Sequence, residues 1–231
     1  MKLVRTRRST LDGLPEPEPC DTRQPPPRAL GNAATLRFVR VSEMGRRDWL
    51  DRVAELFHDA LADYYDRMPL SAEERWAHLR TQIETSGGEL STAIAPIHEG
   101  EVVGAYAALP SAESRRRQVA DALRLVRATA PSLRSDLKAA LRAFRSGVPR
   151  APEDGVYLAR IATARTVRRR GVGWQMLEHL CARYATSSIG LHVHESNRPA
   201  IALYTRFGFL PVDVRSTYHL MVRTHPGPGG T

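Results

Sequence analysis

Two cysteines in 231 residues, Cys20 and Cys181, are too few for a disulfide framework or a cysteine-based metal cluster. Lysine is equally scarce: of 34 basic side chains only Lys2 and Lys138 are lysine, so arginine carries the net charge of +9. The guanidinium fork suits phosphate and carboxylate, but a GC-rich genome produces the same bias, so charge alone selects no partner class. No run of about 18 apolar residues is present to span a bilayer. The basic start, with Lys2, Arg5, Arg7 and Arg8, leads into no apolar stretch of signal-peptide length. The expectation is a soluble, cytoplasmic protein with no membrane partner. No helix-turn-helix pattern or aromatic-interleaved basic patch accompanies the charge, which speaks against nucleic acid.

Aliphatic residues are sparse at both ends. Residues 1–34 hold Pro15, Pro17, Pro19 and Pro25-Pro26-Pro27 without sustained periodicity, a composition that cannot bury a core. They are expected to form a disordered Pro/Arg-rich leader, and residues 225–231 a flexible tail, leaving one domain over 35–224. Within it, Leu36, Phe38, Val39 and Val41 suit a first strand. Trp49, Val53, Leu56, Phe57, Ala60, Leu61 and Tyr64 then fall at offsets of three and four, predicting a helix over about 47–65. Ser71 with Glu74 is a capping box that opens a second helix, closed by Gly87-Gly88. Strands follow at about 90–97 and 101–109 across the turn His98-Glu99-Gly100.

Residues 111–150 predict two helices broken at Pro131, one lined by Val119, Leu123 and Val126, the other by Leu133, Leu137, Leu141 and Phe144. This segment carries ten basic residues and three acids, +7 of the total charge. A solvated basic face and an electrostatic funnel for an anionic ligand or acidic partner both fit that balance. The last third alternates: a strand near 155–163, a helix near 172–186, a strand near 188–194, a helix near 198–206, then strands near 209–212 and 215–223. Such alternation implies an α/β architecture with helices covering a sheet.

The most informative stretch is Arg168-Arg169-Arg170-Gly171-Val172-Gly173, between a strand and a helix. Its glycines permit a tight turn and close backbone approach, and the following helix presents free N–H groups and its positive dipole end, a cradle for pyrophosphate. A P-loop needs a lysine after its last glycine, and a dinucleotide fingerprint needs a third glycine where Met176 stands, so both are disfavoured. Downstream runs Asn197-x-x-Ala200-x-x-Leu203-Tyr204-x-x-x-Gly208-Phe209. The two patterns, in this order and at this spacing, resemble the GNAT superfamily of acyl-CoA-dependent N-acyltransferases, closely over residues 156–222 and compatibly over 35–109.

The resemblance implies a mixed central sheet of about seven strands flanked by helices, with the helical insertion between the third and fourth strands. It implies acetyl-CoA as acyl donor. Backbone groups of Ile161, Ala162 and Thr163 would bond the pantetheine arm as an added strand does. The loop of Arg168, Arg169, Arg170, Gly171, Val172, Gly173 and Trp174 would hold the pyrophosphate, with Trp174 itself expected as a helix-packing residue. Asn197 matches the asparagine near the thiol end, and Tyr204 the tyrosine placed as general acid for the departing thiolate. His192 stands twelve residues before Tyr204, where members resembling ribosomal-protein N-terminal acetyltransferases carry a catalytic glutamate. A histidine there is a departure, but one chemically suited to accept a proton. His194, Glu195, ordered water or no dedicated base are the alternatives. Tyr64, Tyr65, Arg160 and Tyr106 are candidate acceptor-side residues. The expected acceptor is a small molecule bearing a primary amine, a metabolite or antibiotic-like compound, because the insertion resembles that of puromycin N-acetyltransferase in position and helicity. A peptide N-terminus and a non-catalytic acyl-CoA-binding regulator are the rivals, and homodimerisation stays open. No metal is expected.

Overall fold

Strands buried on both faces mark the middle of a sheet, and two segments here have that property. All but the last residue of β2 (Ile94–His98) and of β4 (Gly104–Pro110) are buried. The computed structural model describes residues 36–224; the leader and tail expected at 1–34 and 225–231 lie outside the described residues. With β1 (Arg37–Arg40), β3 (Glu101–Val102), β5 (Val156–Thr163), β6 (Ile189–His194), β7 (Leu210–Arg215) and β8 (Tyr218–Arg223), the sheet has eight strands in the order β1-β2-β4-β5-β6-β8-β7, with β3 beside β2. Only the β5–β6 pair is parallel. The expected strand at 101–109 splits because the Val103 N–H turns away to the Pro96 carbonyl at 3.1 Å, which accounts for the eighth strand.

Helices α1 (Arg47–Ala60), α2 (Ala62–Asp66), α3 (Ala72–Glu84), α4 (Ser111–Ala128), α5 (Arg134–Ser146), α6 (Val172–Arg183) and α7 (Arg198–Arg206) surround the sheet. The helix expected over 47–65 breaks at Leu61, whose φ of −133° is not helical. The capping box forms as expected: Ser71 Oγ accepts from the Glu74 N–H and Glu74 Oε2 from the Ser71 N–H. The segment expected to enter a strand near residue 90 instead makes a 3-10 turn, Glu89–Thr92, and β2 begins at Ile94. No helix among the described residues is long and apolar enough to cross a membrane.

The insertion lies between β4 and β5, and its second helix packs as its apolar stripe demands: Leu137 is fully buried, and Leu141 and Phe144 turn inward. Its first helix does not. Val119 and Leu123 are 41% and 50% exposed, whereas the inward face of α4 holds Ser114, Asp121 and Leu125. Hydrogen bonds dock this helix. Asp121 Oδ2 accepts from the Glu89 N–H at 2.8 Å and Gln82 Nε2 at 3.2 Å, and Oδ1 accepts from Arg124 at 2.6 Å. Gln118 Nε2 donates to Glu89 Oε1 at 2.6 Å, and Arg117 reaches the Gly88 carbonyl at 3.2 Å. A buried carboxylate with three donors is satisfied, and an apolar count of the helix cannot see it.

Removing that carboxylate strands buried donors, so Asp121→Ala is expected to lower unfolding free energy by about 3 kcal/mol, with Asp121→Asn milder, as read by chemical denaturation.

Candidate functional site

The parallel ladder between β5 and β6 holds for only three residue pairs, Val156 with Ile189 to Leu158 with Leu191. Beyond it the strands part. On its other edge β5 stays paired with β4 as far as Thr163, through a bulge at Ala159. Residues 159–163 therefore keep one backbone edge without a strand partner in the middle of the sheet. Of the three residues here, Ile161 and Thr163 turn their backbone groups to this edge and Ala162 turns its own towards β4, and Ala162 is buried while the other two are half-buried.

The chain leaves β5 through a short 3-10 turn, Arg165–Val167, and enters the glycine loop. Arg169 and Gly171 both take left-handed conformations, with φ of 61° and 84°. Left-handed residues this close together curve successive N–H groups around a concave space suited to an anion. Gly171 caps α6, and among the described residues the N–H groups of Arg169, Gly171, Val172, Gly173 and Trp174 meet no acceptor. Arg168, Arg169 and Arg170 are exposed around them. Free helix-start donors plus flanking guanidinium groups make a site that fits a diphosphate. Gly173 serves packing instead, since a Cβ there would stand 3.1 Å from Leu203 Cδ2 and its absence lets α6 approach α7. Trp174 is a packing residue, as expected, edge-on to Phe207 at 4.8 Å with its Nε1 donating to Glu178 at 2.8 Å.

Asn197 caps α7, its Oδ1 accepting from the Ala200 N–H at 3.3 Å. Tyr204, about two turns further on, is 6% exposed and tilts against Phe209; burial raises its pKa. No hydrogen bond or ring contact joins Tyr204 to His192 among the described residues.

His192 and His194 alternate with the buried Leu191 and Val193, so both share the opposite face of β6. His192 is not open to solvent at its working atoms. Its Nδ1 shares a 2.9 Å hydrogen bond with the Tyr157 hydroxyl, and its Nε2 is buried with no hydrogen-bond partner, although the Pro149 carbonyl lies by the ring. Burial lowers its pKa to about 4. His194 is held by Ser196 Oγ at 2.8 Å and lies edge-on to Tyr218. Over this face runs the end of the insertion. Phe144 packs on Tyr64 at 4.3 Å and on Tyr218 at 5.6 Å, and Pro152 sits on Gly190.

The two central-strand candidates separate. Arg160 lies among Tyr65, Tyr157 and Glu89, with Nη1 3.8 Å from Glu89 Oε2. Tyr106 is on the other side of the sheet, where its hydroxyl meets His179 Nδ1 of α6 at 2.7 Å. Glu89, Asp121 and Tyr157 escaped sequence reasoning; each is one polar residue in an apolar or basic context, and only its spatial partners distinguish it.

The acetyltransferase (GNAT) family model matches residues 51–209. Among solved structures the chain is similar to an N-acetyltransferase of Staphylococcus aureus Mu50, at 17% identity and TM-score 0.62, over 80% of this chain and 99% of that one. It is also similar to a protein of Corynebacterium glutamicum ATCC 13032, "histone acetyltransferase HPA2 and related acetyltransferase", at 20% identity and TM-score 0.55, over 84% and 99%. These likenesses carry the fold. No curated protein matches the sequence.

Burial also lowers the pKa of His78 on α3 to about 4, against the ordinary 6.5 shared by His192. Between those pH values the unfolded chain binds protons that the fold refuses, so these groups cost stability as pH falls from 6.5 towards 4 and cost nothing more above 6.5. His78→Gln and His192→Gln are each expected to flatten the fall of Tm across that window in melting curves taken from pH 7.5 to 4.

Proposed function

The chain belongs to the acetyltransferase (GNAT) family, and from that premise we propose that it transfers an acetyl group from acetyl-CoA to a primary amine of a small molecule, by direct attack of the amine on the thioester. The observation that carries the reading is the edge of β5 that has no strand partner over residues 159–163 and runs straight into the glycine loop, where among the described residues five N–H groups from Arg169 to Trp174 meet no acceptor. A pantetheine arm is an extended chain of amides that suits the first, and a diphosphate suits the second.

When bound, the thioester supplies an acyl carbon open to attack and a sulfur that leaves. Residues of the chain do the rest. A backbone N–H on the edge of β5 polarises the carbonyl, as an oxyanion donor does. The Tyr204 hydroxyl carries the proton for the sulfur, since a phenol is protonated at neutral pH. Asn197 sits at the start of the same helix and orients the thiol end. His192, unprotonated at neutral pH, takes the proton lost by the amine through the Tyr157 hydroxyl, since its own ring nitrogens are enclosed.

The size of the acceptor follows from the insertion. Phe144, Pro149 and Pro152 cover the His192 face, and that cover favours a compact amine over an extended peptide N-terminus. The presence of both Asn197 and Tyr204 speaks against a non-catalytic acyl-CoA binder.

Calorimetry should give one saturable acetyl-CoA site per chain, lost in Gly171→Val, because a β-branched residue cannot hold the left-handed conformation of the cradle. Tyr204→Phe should keep that affinity and lose about 100-fold or more in turnover on a responsive amine. Equal turnover of the two proteins removes Tyr204 from the mechanism, and faster turnover of a peptide library than of small amines overturns the acceptor.

A further inference from the structure

A second arginine-rich feature lies apart from the glycine loop. Between α4 and the chain after α3 is a cavity of about 280 Å³ lined by Ser86, Gly87, Arg116, Arg117, Ala120 and Arg124. The four α4 residues fall at helical spacing and share one face of that helix. The chain enters α4 from the end of β4 and later begins β5 alongside that end, Pro110 pairing with Val156, whereas the glycine loop follows the opposite end of β5 at Thr163. The cavity and the cradle share no lining residue.

The donors of the three guanidinium groups are unequally used. Arg117 is spent: Nε and Nη2 bond Glu113, and Nη1 bonds the Gly88 carbonyl and Ser91 Oγ. It is a fixed wall that holds the loop in place. Arg124 uses only Nη1, on Asp121, and its Nη2 lies over Gly87, where a Cβ would come within 3.2 Å of it. Arg116 is exposed and makes no hydrogen bond or ion pair among the described residues. The two acids nearby, Glu113 and Asp121, are each committed to protein partners, and neither lines the cavity. What faces the space is guanidinium, one of the three with every donor open and one with most of them.

We propose that this cavity binds a compact oxyanion, a small metabolite bearing phosphate or clustered carboxylates, as a ligand distinct from the acetyl donor. Forked guanidinium donors match such groups, and the volume admits a small molecule but not a nucleotide cofactor. The site is also wired inward. Asp121 joins Arg124 to the Glu89 backbone, and the Glu89 carboxylate faces Arg160 on β5, so the occupant touches the hydrogen-bonded network that docks the insertion.

The test is calorimetric titration of the full chain at low ionic strength with pyrophosphate and, separately, citrate. Saturable binding of at least one probe, beyond any pyrophosphate that the glycine loop itself takes, is expected, and the stronger of the two identifies phosphate or carboxylate as the preferred group. Arg116→Glu, at an exposed position that leaves the fold intact, should weaken it by about tenfold or more, and Gly87→Leu, which fills the space without changing charge, should do the same. Arg115→Glu, next door but outside the lining, should change it by less than about threefold, as a general surface charge does. Binding untouched by Arg116→Glu places the anion at the glycine loop and overturns the proposal. Equal loss in the Arg115 and Arg116 variants, or no saturable binding of either probe, overturns it as well.

Discussion

A strand in the middle of a sheet that loses its neighbour halfway is the constraint on which the rest of this molecule turns. The β5 backbone is paired on both edges from Val156 to Leu158 and on one edge thereafter. Polar backbone groups at the centre of a domain are costly to leave unpaired, so an opening of this kind persists only where water or a ligand can take the place of the missing strand. The bulge at Ala159 begins the divergence, and the parting strands lead β5 into the glycine loop and β6 into the turn before α7. Cradle, edge and the cap of α7 are in this way set by one separation of two strands.

The insertion is the second determinant. It is fastened by a buried polar network and not by an apolar stripe alone, with Asp121, Glu89, Gln82 and Gln118 hydrogen-bonded to one another where α4 meets the core. Such networks gain less net stability than an equal area of apolar packing, but they fix orientation, because each hydrogen bond is directional. That orientation brings Phe144 down onto Tyr64 and Tyr218 and carries Pro149 and Pro152 across β6. The enclosure of His192 follows from that path, and the depressed basicity of its ring follows from the enclosure. The arginine surplus of the segment stays on the outer side, where guanidinium groups remain hydrated.

The features legible in the chain were those whose cause is local. A left-handed glycine before a helix, a Ser-x-x-Glu cap, a stop at Pro131 and the stripe of Leu137, Leu141 and Phe144 all depend on residues within a turn or two of one another, so spacing alone reveals them. The apolar line assigned to α4 held only in part, for a related reason. Val126 packs against the core, but Val119 and Leu123 stay exposed because the partner surface offered hydrogen-bond donors at Glu89 and Gln82, which are 32 and 39 residues away from Asp121. The division of the strand at 101–109 likewise answered to the Pro96 carbonyl on a neighbouring strand.

By itself, the sequence determined the α/β alternation, the left-handed glycine turn into the helix after β5 and, through the order of its two motifs, the family. Tertiary structure decided which histidine nitrogens are enclosed, what each central-strand side chain meets and how the insertion sits. Arg160 and Tyr106 look alike in a pattern of alternation, yet one meets Glu89 and the other meets His179. Periodicity specifies that two faces exist and leaves open what covers each. Burial, and with it the charge state and chemistry of Tyr157, His192 and Glu89, is fixed only when distant segments close over them.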